Sequence, residues 1–165
     1  MNADRASQLK NGVRLPGRIT PECELDLEDI IKQNAELVIR QMSALCGFPF
    51  GYDARSVAWL DGYIERQRAR SDHTQELVDG LVNVFGSYLG ECIKNNYGGY
   101  WENEAGQWRV SFNSDNAAYP FAKVRKQLQN GPEDSIMSFF EAIPVIFESA
   151  TTKKGIEKTP WWKLW

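Results

Sequence analysis

Between Gly86 and Val124 the chain sets GSYLGE, NYGGYW, Trp108 and AYPFAKV almost end to end. Glycines let a ring or a second backbone come close, and indoles bring large apolar area with one polar N–H each. Such a run predicts tight packing at a helix-to-hairpin junction. A catalytic or cofactor signature is not among its motifs.

A chain of 165 residues, 42% hydrophobic and 25% charged, can bury one real core without a disulfide or metal staple. Cys23, Cys46 and Cys92 lack the close spacing of a zinc site and read as reduced thiols, which points to a reducing cytoplasm. No cofactor and no metal are expected. The N-terminal stretch MNADRASQLKNGVRLPG has no apolar signal core, and no segment approaches the roughly 18 apolar residues of a membrane span, so a soluble protein is expected.

Charge is distributed unevenly. Residues 1–18 and 149–165 each carry a net +3, whereas the residues between carry −9. An acidic body repels a phosphate backbone, so nucleic acid is a poor default partner unless the basic tails act alone, no nucleic acid is expected, and a basic protein surface is favoured.

Periodicity gives the element order. A helix runs from Asp26 to a stop at Gly47 and Pro49, with Leu27, Ile30, Ile31, Leu37, Val38, Met42 and Leu45 at helical spacing. GFPFGYD is a turn, and Asp53 or Ser56 caps a second helix reaching about Arg70. A third helix opens at Ser71 or Asp72, with Gln75 completing a loose capping box, and stops at Gly98. It is the most apolar of the set, and its glycines Gly80, Gly86 and Gly90 predict a closely approaching neighbour.

Tyr100–Phe112 alternates as a hairpin around ENEAGQ, NSDN makes a second turn, and 117–119 adds a short third strand. Helices over 121–129 and 133–149 complete the chain, the last kinked or divided by Pro144. The expected fold is therefore α+β: three helices, a small antiparallel sheet, two helices. The expected organisation is a flexible lead-in over 1–22, one domain over 23–148 and a basic, Trp-rich tail over 149–165.

The segments SVAWLDGYIERQR, GSYLGE, YGGYW and YPFAKVRKQLQNG resemble a family of small uncharacterised, mostly bacterial domains. Their pattern is an aromatic-Leu-Asp helix, Gly-x-Tyr-Leu-Gly-Glu, Gly-Gly-x-Trp and Pro-Phe-x-x-Val, and the resemblance covers about 50–145. It implies a stable module used in varied contexts. No activity, cofactor or catalytic residue comes with it.

Glu91 is the sharpest chemical candidate, a carboxylate on the most apolar helix. Buried, it is either a general acid or base, with Tyr88, Arg109 or Lys123 nearby, or a fastener for the hairpin. The fastener would accept from Gly98 or Gly99 amides, from the Trp101 or Trp108 indole, or pair with Arg109 or Lys123. The structural motif comprises Gly86, Tyr88, Gly90, Glu91, Gly98, Gly99, Trp101, Trp108, Pro120 and Phe121. His73, the single histidine, reads as an exposed residue at a helix start. Arg66, Arg68 and Arg70, and likewise Lys123, Arg125 and Lys126, read as solvated basic surface.

Trp161, Trp162, Leu164 and Trp165 form an apolar C-terminal run. Three fates compete for it: packing on its own domain, docking on a partner or second copy, and peripheral contact with lipid headgroups. Two functional readings stay open. One is a protein-binding or regulatory module, of which an antidote masking a basic toxin is a concrete version; the alternative is a metal-independent enzyme using Glu91.

Overall fold

The computed structural model describes residues 26–72 and 74–153, with side chains through 146. The lead-in, Cys23, His73, the tail with Trp161, Trp162 and Trp165, and the outer domain boundaries lie outside the described residues. Within them the chain is α+β, in the order α1 (Leu27–Cys46), α2 (Ala54–Arg68), α3 (Gln75–Tyr97), β1 (Tyr100–Glu104), β2 (Gln107–Asn113), β3 (Asn116–Ala118), α4 (Pro120–Asn130) and α5 (Ile136–Lys153). A short 3₁₀ turn, Pro132–Asp134, precedes α5.

Helix α3 is the axis of the fold, and every residue from Phe85 to Ile93 is buried. Helix α1 lies on one side of it and α4 on another, while α2 joins α4 and α5. Asp53 caps α2, its Oδ1 accepting from the Ser56 amide at 2.9 Å. Ser56 is buried inside the helix, where its Oγ accepts from the Gly51 amide at 2.9 Å. The 47–53 turn is packed rather than open: Phe50 and Tyr52 both lie against Tyr88, whose hydroxyl donates to the Gly51 carbonyl at 2.6 Å.

Several boundaries differ from the sequence reading. Helix α3 is capped by Thr74, not Ser71 or Asp72: the Thr74 hydroxyl accepts from the Leu77 amide at 3.2 Å, while Asp72 pairs with Arg70 at 2.6 Å and Gln75 donates to Asp79 at 3.1 Å. Helix α2 closes two residues earlier than expected, at Arg68, and β3 ends at Ala118. Helix α5 begins at Ile136 because the 132–134 turn occupies the preceding residues, and it runs unbroken through Pro144. One lost backbone bond does not divide a helix whose flanking Phe140 and Ile143 are buried.

The sheet is antiparallel in the order β1-β2-β3. Trp101 pairs with Val110 and Asn103 with Trp108 on one face, Glu102 with Arg109 on the other, so a period of two separates the core face from the charged one. Gln127 of α4, fully buried, ties three helices together. Its Nε2 donates to the Asp61 carbonyl at 3.3 Å and to Glu65 at 3.0 Å, and its Oε1 accepts from the Ile136 amide at 3.0 Å.

Candidate functional site

Glu91 is 7% exposed and faces the hairpin. The Trp101 indole Nε1 donates to its Oε1 at 2.7 Å, and Lys94, one turn further along α3, stands 3.8 Å from the same oxygen. Lys94 also donates to Glu28 of α1 at 2.9 Å. That contact, with Lys32 behind it, holds the Glu28 carboxyl below its ordinary value. The partner of Glu91 is thus one of the indoles foreseen, joined by a lysine that sequence reasoning missed although it lies at helical spacing on the same face.

Glycine makes this seam. A Cβ on Gly90 would overlap the Trp101 ring, and one on Gly86 would overlap Phe121. Gly80 is different: nothing lies within 4 Å of a Cβ there, so the close neighbour expected at all three glycines is found at two. At the exit of α3, Gly98 adopts φ 80 and ψ −162, a region open in practice to glycine alone. Gly99 has φ 96 and lies so near the Ser111 carbonyl that a Cβ would come within 2.8 Å of it. These two residues send the chain straight from helix to strand.

The other candidates are engaged separately. Tyr88 holds the 47–53 turn, and burial pushes its hydroxyl well above its ordinary range, as it does the neighbouring Cys92 thiol. Arg109 lies on the outer sheet face, with Nη2 2.9 Å from Glu102, Nη1 3.1 Å from the Tyr119 hydroxyl, and Glu104 also paired. Hydrogen bonds to the Tyr119 hydroxyl and to Glu102 make the Arg109 guanidinium hold its proton more tightly than usual, and the Ser111 hydroxyl, with Arg109, holds the Glu102 carboxyl below its ordinary range. Lys123 pairs with Asp134 at 2.8 Å, and Asp134 is held low by Asn130 first and Lys123 next. Glu91 is thus bonded to Trp101, Tyr88 to the turn, Arg109 to the outer sheet face and Lys123 to the 132–134 turn, and the four candidates do not converge on one reacting centre.

Arg66, Arg68, Arg70 and Lys126 are exposed, as read from the sequence, and some members of the basic clusters also make contacts within the chain. Arg66 lies over the stacked rings of Trp59 and Tyr63, 5.4 and 5.5 Å from their centroids, and Arg125 pairs with Asp79 at 2.8 Å. Among the described residues there is no cluster of His, Cys, Asp and Glu able to hold a metal ion, and no helix long and apolar enough to cross a membrane.

Behind the seam lies a feature that the sequence reading passed over. Trp101 makes an edge contact with Trp108 at 6.4 Å and a tilted one with Phe121 at 5.9 Å. Trp108 and Phe121 help form an open groove of about 480 Å³ between α1, α3, the hairpin turn and α4. Leu27, Ile30, Ile31 and Val82 supply most of its remaining apolar lining, and Arg125 stands at one edge. Leu27 and Ile30 are 55% and 36% exposed. The available signal was an apolar stripe on α1 wider than one packed neighbour needs: Ile31, Ala35, Val38 and Met42 are buried, and Leu27 and Ile30 are left over. Asp26, which precedes the lining residue Leu27, is exposed, and the charged lining residue Arg125 pairs with Asp79 at 2.8 Å.

Comparison with protein-family models, with curated proteins and with solved structures returns no significant match.

Proposed function

We propose that this chain is a protein-binding module, in which the groove beside Trp108 and Phe121 receives a basic segment with an apolar side. The open apolar groove carries the reading. The −9 charge of residues 19–148 adds long-range attraction for such a partner. The seam supports it in another way, because the Trp101 indole, braced by Gly90 and Glu91, backs the Trp108 and Phe121 rings that line the groove and lowers the ordering cost of binding. An enzyme built on Glu91 gains no comparable support, since its carboxylate is occupied by Trp101 and its proposed helpers bond elsewhere.

Titration of the full chain with an amphipathic Leu/Lys peptide, followed by the methyl resonances of Ile30, Ile31 and Val82, tests the proposal. The groove methyls should shift, raised salt should weaken binding, and a Leu27→Ser, Ile30→Ser double variant with an unchanged fold should bind about tenfold less, the order of 1.4 kcal/mol. Equal binding by the double variant removes the groove from the account.

A further inference from the structure

The groove's wall starts where helix α1 starts. Leu27 is both the first residue of that helix and part of the apolar lining, so residues 1–25 are joined to the groove's edge through Asp26. We infer that this N-terminal segment is the groove's own resident occupant, which a partner must displace. The inference rests on the binding function proposed above and specifies how that site is regulated.

Chemistry and reach support it. The segment has Arg5, Lys10, Arg14 and Arg18 against Asp4 over residues 1–18, interleaved with Leu9, Val13 and Leu15, and followed by Ile19. The apolar groups match a groove of Leu27, Ile30, Ile31, Val82, Trp108 and Phe121, and the basic groups match the −9 net charge of residues 19–148. At up to about 3.5 Å per residue, a 25-residue segment spans far more than this groove.

Attachment then strengthens weak contacts. A short tether supplies an effective concentration on the order of millimolar, so a segment binding with a Kd near 0.1 mM as a free peptide is docked about ten to one when attached. A competing partner loses affinity by about that factor, because only the open fraction of the protein is competent.

Four forms of the full chain test the inference: wild type, a variant with Leu9, Val13, Leu15 and Ile19 replaced by Ser, a charge variant, Arg14→Glu with Arg18→Glu, and a control with Trp161, Trp162 and Trp165 replaced by Ser. None of the substituted positions belongs to the described core, and the Ile136 and Ile143 methyls serve as controls for folding. Both N-terminal variants should move the Ile30, Ile31 and Val82 methyls, leave the controls in place, and bind the Leu/Lys peptide about tenfold more tightly than wild type. A synthetic peptide of residues 1–25, added to the first variant, should return the groove methyls toward their wild-type positions.

Unmoved groove methyls with equal peptide affinity overturn self-occupancy while leaving groove binding intact. Groove methyls that move only when Trp161, Trp162 and Trp165 are replaced by Ser also overturn it, in favour of the C-terminal run. Failure of the Leu/Lys peptide to bind any form, with the groove methyls still answering to the N-terminal substitutions, overturns the wider binding proposal alone.

Discussion

Two glycines on one helix separate space from sequence. Gly90→Ala forces its methyl into the Trp101 ring, and neither the buried indole nor the helix backbone has room to give. A loss of about 3 kcal/mol is expected in urea unfolding. Gly80→Ala, on an exposed turn of the same helix with nothing nearby, should instead gain up to about 1 kcal/mol through helix propensity. A matching response at both positions would mean that Trp101 does not rest on Gly90. At Glu91 the two substitutions to compare are Gln and Leu. Gln keeps an oxygen for the indole and should cost about 1 kcal/mol, whereas Leu leaves a buried N–H unanswered and should cost about 2–3 kcal/mol by thermal or urea unfolding. Equal effects would show the indole bond to be dispensable.

The hairpin between β1 and β2 turns on Ala105 and Gly106, with φ 51 and 82. Positive φ at both central residues marks the mirror-image turn that suits strand twist, and alanine is a poor choice for its first position. Ala105→Asn should therefore raise stability by about 0.5–1 kcal/mol, read as a higher melting temperature with the sheet register unchanged. Elements of this kind were legible in the sequence: the ENEAGQ turn, the alternation of Trp108, Val110 and Phe112, and the glycine stop at Gly98 all rest on local geometry. Less legible were choices between near-equal neighbours. Thr74, Ser71 and Asp72 can each accept a backbone N–H, and Thr74 serves because Asp72 is drawn to the Arg70 guanidinium. The role of Glu91 could be narrowed to a list of donors but not resolved, since strand pairing turns Arg109 to the other face, and the choice between Trp101 and Trp108 depends on which indole packs over Gly90. The groove was hidden for a similar reason: a helical stripe reveals that residues are apolar but not which of them a neighbour covers.

Taken together, the ionisable groups set a stability window. Glu28, Asp79, Glu102 and Asp134 all have carboxyls held below their ordinary values by hydrogen-bonding and charged partners. Their folded forms bind protons less readily than the unfolded chain, so their contribution is present above the ordinary carboxylate range and is lost as pH falls through and below about 4.5. Tyr88 and Cys92 act in the opposite direction. Burial keeps them neutral in the fold, so stability declines once the unfolded chain begins to ionise above 9.0 for the thiol and 10.0 for the phenol. Urea midpoints measured across pH should trace a plateau bounded by these two declines; a midpoint still rising above pH 10.0 would contradict the burial of Tyr88. Gln127 gives the opposite corner of the molecule a further property. Both ends of its amide are committed, the nitrogen to α2 and the oxygen to the start of α5, so a flipped amide would set oxygen against oxygen and nitrogen against nitrogen. Withdrawal of α2 or α5 strands one end of the Gln127 amide, and withdrawal of α4 strands its partners on both, so α2, α4 and the first turn of α5 should exchange their amide hydrogens together as a single latch.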